Sequence, residues 1–323
     1  MKLRTFPSAI SAAEFLRNAQ GWLIDCEIRQ VSKNTLANRR LIIDKFAWWV
    51  NYAAADEIDT QTLREFLRYI VHGHTTAAGR WGNPANTSEV KPATVAFYHR
   101  HLRAYCNWLV AEGVIDASPM ERIAAPIDRP DQIQPLERNQ VLALLAAARK
   151  SQNPRRDEAI VWMLLDTGMR VAELAELRRR DLDMALRTAT IEGKGGKRRT
   201  VTFGRNTARS LWAYLREDDN DAPEGAQVFV SSRFGDGMRP SSVTHIIHKL
   251  GEAAGITSVR VSPHSLRHTF AVLFLRGGGD QYALMTILGH TDVKMTSRYV
   301  ALTNADVAAQ HRKASPADRI TRR

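Results

Sequence analysis

Apolar residues return every three or four positions through most of the first 112 residues, which is the spacing of amphipathic helices. No alternating strand pattern accompanies them, so the sequence predicts a small all-helical unit. A polar run from His72 to Glu89, rich in Gly, Asn and Thr, interrupts the pattern and predicts a long loop. The four predicted helices are Ser11 to Trp22, residues 32–51, one that begins at Asp59 or Thr60, and one from about Pro92 to Glu112.

The helical periodicity stops between Ala117 and Leu136, where four prolines fall close together. Prolines at this density favour an extended connector over a helix. A chain of 323 residues also exceeds the size at which a single core stops growing. We therefore predict a helical domain over 1–117, a linker over 118–135 and a second domain over 136–323 that ends in a basic tail.

The second part changes from helical to alternating periodicity near Ala185. The segments 187–192 and 199–203 alternate as strands do, and they flank Gly193-Lys-Gly-Gly-Lys197, which predicts a β-hairpin with a basic tip. The fold class is thus mainly α with a small β-hairpin or sheet. Helices are predicted on both sides of the hairpin, over 139–149, 156–165, 207–215, 241–254, 265–275, 282–288 and 293–301.

Composition adds a class of partner to this picture. The chain is 44% hydrophobic and 25% charged, as in an ordinary globular protein, but 46 basic against 34 acidic residues give a net charge of +12. Such an excess favours a polyanionic partner such as nucleic acid. Two cysteines, Cys26 and Cys106, are too few for a disulfide scaffold and fit a reducing cytosol. The sequence shows neither an export signal nor a stretch apolar enough for a membrane helix.

The densest group of candidate chemical side chains is Pro263-His-Ser-Leu-Arg-His268. On a helix, His264, Arg267 and His268 share one face. An arginine fork binds two oxygens of a phosphate, and an imidazole donates a hydrogen bond or transfers a proton. Taken alone, this hexapeptide is better explained as a polar surface helix. A zinc site is disfavoured, because Ser265 stands where the two-histidine zinc motif needs a glutamate.

The segment Asp166 to Leu174 places Gly168 before Arg170, with Glu173 three residues further on. A glycine permits an unusual turn, and a carboxylate one helical turn away can hold a guanidinium in position. A surface ion pair explains the same pattern equally well.

Three further candidates are also ambiguous when taken singly. Leu288-Gly-His290 has the form of a helix C-cap followed by a polar residue, and Tyr299 is by itself more typical of a half-buried packing residue. Lys194 and Lys197 are simplest as solvated turn residues. The hairpin tip lacks the spacing of a Walker phosphate loop, so no ATP site is indicated.

The joint order of these elements is more informative than any one of them. Arg170, a hairpin lysine, His264-x-x-Arg267, His290 and Tyr299 together resemble the catalytic set of the tyrosine recombinases, the phage-integrase and Xer-like family of DNA breaking and joining enzymes. The resemblance covers almost the whole chain. The helical N-terminal unit resembles the family's core-binding domain, and the basic second part resembles its α+β catalytic domain. The most specific matches are Thr167-Gly-Met-Arg-Val-Ala-Glu-Leu174, His264-Ser-Leu-Arg-His-Thr-Phe270 and Leu288-Gly-His-Thr291.

The resemblance implies a division of labour that agrees with what phosphodiester chemistry requires. Arg170 and Arg267 would neutralise the non-bridging oxygens as charge grows in the transition state. Tyr299 would attack phosphorus and remain attached as a phosphotyrosine ester. The remaining implied roles are proton donation to the 5′ oxygen by Lys194, or less favourably Lys197; proton transfer and phosphate binding by His264; a phosphate hydrogen bond from His290; and support by Glu173 and His268.

The same resemblance implies the partners. It predicts double-stranded DNA with inverted-repeat recombination sites, a tetramer on that DNA, a cytoplasmic, nucleoid-associated location, and no metal, nucleotide or other cofactor. Only about ten residues precede the first predicted helix, so we expect no additional arm-binding domain of the lambda type. The long 72–89 loop slightly favours a mobile-element integrase or resolvase over a chromosome-dimer-resolving Xer protein. A type IB topoisomerase and a noncatalytic DNA-binding protein with this fold remain alternatives.

Overall fold

The computed structural model describes residues 9–74, 78–127, 134–193, 196, 198–217, 223–231 and 236–289. The chain divides into two compact units, residues 1–131 and 132–323. The described part is mainly helical with small antiparallel sheets, which confirms the predicted fold class. No helix in these ranges combines the length and apolar character needed to cross a lipid bilayer.

The first unit contains the four predicted helices. Three of them begin at side chains that accept a hydrogen bond from the first turn, namely Ser11, Ser32 and Asp59, and the fourth has Pro92 at its first position. The expectation of no strand was wrong: β1 (Ile10–Ser11) pairs antiparallel with β2 (Glu57–Ile58), and two residues are too few to show alternation. The helices are α1 (Ala12–Ile28), α2 (Lys33–Ala53), α3 (Thr60–Val71) and α4 (Pro92–Ala111).

The core of the first unit extends past residue 117. Met120 is fully buried and Ile123 nearly so, and both belong to the same apolar cluster as the four helices. The buried His99 of α4 donates from Nε2 to the carbonyl oxygen of Ile123 at 2.8 Å. The beginning of the proline-rich segment 118–135 therefore packs on the helical unit through these contacts.

The 72–89 loop, apart from residues 75–77, is built around a buried arginine. Arg80 is 6% exposed and donates from NH2 to the carbonyl oxygens of His72 at 2.8 Å and Ser88 at 2.9 Å. The next residue, Trp81, has φ of 64° and packs its ring 5.2 Å from that of Tyr69. In its described part this polar segment thus contains a 3₁₀ turn at Arg80–Gly82 and packs Trp81 against the apolar core of the helical unit.

The second unit surrounds the helix α6 (Pro154–Thr167), whose residues 159–165 are buried except for Trp162. The predicted hairpin is present and gains a short third strand, in the antiparallel order β3-β4-β5. The strands are β3 (Leu182–Asp183), β4 (Thr188–Glu192) and β5 (Arg198–Thr202). The other helices are α5 (Arg138–Arg149), α7 (Val171–Glu176), α8 (Arg205–Glu217), α9 (Pro240–Ala253), α10 (Pro263–Arg276) and α11 (Gln281–Leu288).

Most helices of this unit match their predicted positions within a few residues. The six-residue α7 was not predicted, because it is too short to show a helical period. The predicted helix over 293–301 lies outside the described residues. At the entrance to the unit, the backbone N–H of Leu136 donates to Oγ1 of Thr269 on α10 at 2.8 Å, and both residues are buried.

Candidate active site

A tight turn at Gly168 sets the position of Arg170. Helix α6 ends at Thr167, and Gly168 takes the left-handed conformation with φ of 60°. A Cβ atom at this position would lie 2.3 Å from Cδ1 of Phe270 and 2.9 Å from Cδ2 of Leu288. The unusual turn that this glycine was predicted to permit is therefore present, and the lack of space for a Cβ atom is a further reason for glycine here. The turn makes Arg170 the residue that precedes the first turn of α7.

Glu173 holds Arg170 at two points. Its Oε2 accepts the backbone N–H of Arg170 at 2.7 Å, and its Oε1 accepts NH1 of the same residue at 2.8 Å. The Glu173 side chain is 4% exposed and that of Arg170 is 39% exposed. The interpretation as a surface ion pair was wrong, because the carboxylate is buried while the guanidinium keeps an open side.

A second arginine, which the sequence analysis did not single out, grips the same carboxylate. Arg199 on β5 donates from NH1 to Oε1 of Glu173 at 2.9 Å and from NH2 to Oε2 at 2.8 Å. Its Nε donates to the carbonyl oxygen of Ile287 at 2.8 Å. One signal was available: strand alternation places Arg199 on the same face as the buried Val201.

Burial alone would raise the pKa of Glu173. The hydrogen bonds from Arg199 and from the backbone and side chain of Arg170 outweigh it, so that the pKa of Glu173 is lowered from its ordinary value. The carboxylate is therefore ionised at neutral pH and serves as a fixed anchor for two guanidinium groups.

The three residues that were predicted to share one face of α10 differ in their exposure to solvent. Arg267 is 5% exposed and His268 is 8% exposed, whereas His264 is exposed to solvent. The interpretation as a polar surface helix was therefore wrong for Arg267 and His268. Ser262 caps this helix by accepting the backbone N–H of Ser265 at 3.1 Å.

Arg267 connects the turn at Gly168 with the end of α11. It donates from NH1 to the carbonyl oxygen of Gly168 at 2.6 Å and from NH2 to that of Leu288 at 2.7 Å. Helix α11 ends at Gly289, whose φ of 63° confirms the predicted C-cap. The described residues thus bring Arg170, Glu173 and Arg267 together with the end of the helix that leads to position 290.

Four predicted site residues, Lys194, Lys197, His290 and Tyr299, lie outside the described residues. In the sequence, Lys194 and Lys197 fall between β4 and β5, His290 follows Gly289 directly, and Tyr299 is ten residues after Gly289. Within the described ranges, no group of three or more His, Cys, Asp or Glu side chains is arranged to hold a metal ion.

Comparison with known proteins places this arrangement in a family. The model of the phage integrase family matches residues 134–306. The chain is 31% identical over 298 residues to tyrosine recombinase XerC of Pelobacter propionicus, covering 89% of this chain and 91% of that protein. It is 29% identical over 291 residues to tyrosine recombinase XerD of Mycobacterium leprae, covering 85% and 89%.

A solved structure gives the same fold. The chain is similar to lambda integrase in a tetramer bound to a Holliday junction, with a TM-score of 0.66 and 18% identity, covering 88% of this chain and 78% of that one. The family model spans more than half of the chain, and the first of the two relatives exceeds 30% identity over most of its length. The chain therefore belongs to the phage integrase family and is a site-specific tyrosine recombinase.

Proposed function

We propose that this recombinase cuts one strand of duplex DNA with Tyr299 and conserves the bond energy as a 3′-phosphotyrosine ester. In this step the phenol gives up its proton, with His264 as the assigned acceptor, and its oxygen forms a bond to phosphorus. The bond between phosphorus and the 5′ oxygen breaks, and the 5′ oxygen takes up a proton. Attack by a 5′ hydroxyl of the partner strand then reverses the chemistry and exchanges the strands. The same ester chemistry would serve both directions, so no external energy source is required.

The observation that carries this proposal is the convergence of Arg170 and Arg267 at one turn. Arg267 donates to the carbonyl oxygen of Gly168, two residues before Arg170. The two guanidinium groups would neutralise the non-bridging oxygens of the scissile phosphate as negative charge grows on them. A buried anchor for each of them means that little reorganisation is needed when DNA arrives.

The remaining assignments rest on the sequence motifs. We assign proton donation to the 5′ oxygen to Lys194, with Lys197 as the less favoured choice. His264 would bind the phosphate and transfer a proton, and His290 would hydrogen-bond the phosphate. Glu173 would support Arg170, and His268 would act as a neighbour of the site. The exposure of His264 at the first turn of α10 is compatible with direct contact to a phosphate.

We further propose that four protomers act together on inverted-repeat sites. The tetramer of lambda integrase on a Holliday junction supports this assembly, and the net charge of +12 supports a DNA partner. The helical residues 1–117 would clamp the duplex, residues 118–135 would serve as linker, and residues 136–323 would carry the chemistry. The tail after Ala301 would pack either on its own protomer or on a neighbour. The free, buried thiols of Cys26 and Cys106 fit a cytoplasmic, nucleoid-associated location.

The biological role has two candidates. The unusual 72–89 loop favours a mobile-element integrase or resolvase, whereas the similarity to XerC and XerD favours a chromosome-resolving recombinase. DNA adjacent to the encoding gene distinguishes them: inverted repeats flanking a short spacer at the ends of a mobile segment support the first role.

The test uses duplexes that the protein itself selects from a random-sequence library, nicked so that cleavage traps the intermediate. We expect wild type to form a denaturation-resistant 3′-linked adduct and Tyr299→Phe to form none while binding the same duplex. Tyr282→Phe is the matched control, because Tyr282 is 68% exposed at the start of α11 and has no proposed catalytic role. An adduct in Tyr299→Phe would refute the nucleophile assignment. If the protein instead relaxes supercoiled plasmids that lack a selected site, and no recombinants form, the result would favour topoisomerase activity.

A further inference from the structure

Arg199 is the one partly buried guanidinium of the described site to which the proposed chemistry gives no role. All three of its nitrogen atoms are engaged: NH1 and NH2 hold the two oxygens of Glu173, and Nε holds the carbonyl oxygen of Ile287. Its side chain is 13% exposed. Ordering a side chain to this extent costs conformational entropy, which its hydrogen bonds have to offset.

The contacts of Arg199 reach three separate parts of the site. It stands on β5, which continues from the hairpin tip that carries Lys194; it grips Glu173 on α7, which holds Arg170; and it binds the last turn of α11, which leads to His290. Ile287 and Leu288 are at the end of a helix, where carbonyl groups lack partners within the helix. Arg199 satisfies the first of these carbonyls and Arg267 satisfies the second.

We propose that Arg199 is a positioning residue for the recombination reaction, which couples the hairpin, the Glu173–Arg170 pair and the end of α11 into one rigid phosphate site. This inference rests on the proposed function, because it takes Arg170 as a phosphate-binding residue and assigns a purpose to the contacts that hold it. Arg199 itself contacts Glu173 and Ile287 and acts on DNA only through them.

Electrostatics supports the same role. Glu173 bonded to Arg170 alone would cancel the positive charge that the phosphate needs. With Arg199 on the other side of the carboxylate, the three side chains retain one unit of positive charge, and the open side of Arg170 is where that charge is exposed. The carboxylate is held by the guanidinium fork of Arg199 and by the backbone N–H and NH1 of Arg170, and these four hydrogen bonds fix its orientation.

The left-handed backbone favours glycine after α11, and Arg199 packs closely beside this residue. Gly289 has φ of 63°, and a Cβ atom there would lie 3.0 Å from NH1 of Arg199. The guanidinium thus occupies the space beside the cap that immediately precedes His290. A change at Arg199 is therefore expected to displace this cap as well as Glu173.

The test compares Arg199→Met, Arg199→Lys and the matched control Arg198→Met. Arg198 is the neighbouring residue on β5, its side chain is 63% exposed, and its nearest acid, Asp181, is 3.8 Å away. For each protein, the rate of single-turnover adduct formation and the Kd are measured on one selected, nicked duplex, and thermal unfolding verifies the fold. The decisive quantity is how much further the cleavage rate falls than the affinity for DNA, because loss of structure alone would lower both.

We expect Arg199→Met to slow cleavage by roughly ten- to a hundredfold with Kd changed less than about threefold, as for outer-shell supports of other sites. Arg199→Lys restores the charge but not the fork, so its cleavage rate falls between wild type and Arg199→Met. Arg198→Met stays near wild type. If Arg199→Met does not fold, Arg199→Lys carries the test through the same comparison of cleavage rate and affinity.

The inference is overturned by a folded Arg199 variant that cleaves at the wild-type rate, or by one whose binding falls as much as its cleavage. An equal loss in Arg198→Met would also overturn it, since the effect would then be one of net charge. If wild type forms no adduct on any selected duplex, the proposed function fails instead. A wild-type adduct with an unaffected Arg199→Met refutes only the role of Arg199.

Discussion

Substitution of Gly168 by alanine tests the packing of the turn that precedes Arg170. The residue combines a left-handed φ of 60° with a site where an added Cβ would lie 2.3 Å from Cδ1 of Phe270 and 2.9 Å from Cδ2 of Leu288. Phe270 is 8% exposed and Leu288 is fully buried, so neither side chain can move into solvent without cost. Two separate penalties are therefore expected.

The left-handed conformation costs an alanine about 1–2 kcal/mol relative to glycine. The clash forces repacking of buried neighbours, which typically costs about 1–3 kcal/mol. Because the two effects act at different atoms, we expect Gly168→Ala to lower the free energy of unfolding of the second unit by about 2–5 kcal/mol. The displacement also reaches the carbonyl oxygen that accepts NH1 of Arg267, so cleavage should fall more than DNA binding.

Gly255→Ala is the matched control. Gly255 has φ of 67°, but a Cβ atom there meets nothing within 4 Å, so only the backbone penalty of about 1–2 kcal/mol applies. Urea unfolding of both variants measures the difference, and single-turnover adduct formation measures the catalytic effect. Equal destabilisation by the two substitutions would refute the reasoning, since the clash with Phe270 and Leu288 would then contribute nothing.

Two further substitutions test charged groups that organise the second unit. Because the pKa of Glu173 is lowered by folding, its stabilising effect is complete above its unfolded value of about 4.3 and is lost as the pH falls through the folded value. Glu173→Gln should thus lower the free energy of unfolding by about 3 kcal/mol at pH 7 and by progressively less below a pH of about 4. Thermal unfolding at several pH values measures this difference, and a difference that does not change with pH would contradict the assignment. Asp166 accepts hydrogen bonds from the backbone N–H of Gly204 and from the hydroxyl of Thr207, each at 2.6 Å. Asp166→Ala should therefore lower the free energy of unfolding, measured in urea, by about 2 kcal/mol. An unchanged value would show that water replaces these bonds.

The sequence predicted the features whose signal is local. Helix α2, for example, was expected over 32–51 and is observed over Lys33–Ala53, because its Ser32 cap and its apolar stripe both lie within the segment. The turns at Gly168 and Gly289 were predicted for the same reason, since a glycine at a helix end has a specific conformational meaning. The order of the motifs then identified the family.

The sequence did not predict features that depend on distant partners. Arg199 was expected only as part of a hairpin strand, but its partner Glu173 is 26 residues earlier and its other acceptor is Ile287, 88 residues later. Arg80 likewise lies in a polar run that predicted a long loop, although its side chain is buried against backbone carbonyl oxygens near both ends of that run. Alternation along β5 predicts which side chains face the interior, but the strand alone does not show which charged group Arg199 will contact.

The hydrogen bond from Leu136 to Thr269 restricts how the catalytic half can be produced by itself. Leu136 precedes the first helix of that half, yet its backbone N–H is satisfied by a hydroxyl group inside α10, two residues after Arg267. A truncation that starts at α5 would remove the donor and leave this buried hydroxyl without it, inside the helix that also carries Arg267. Expression boundaries for an isolated catalytic fragment therefore belong upstream of Leu136, even though secondary structure alone would place them later.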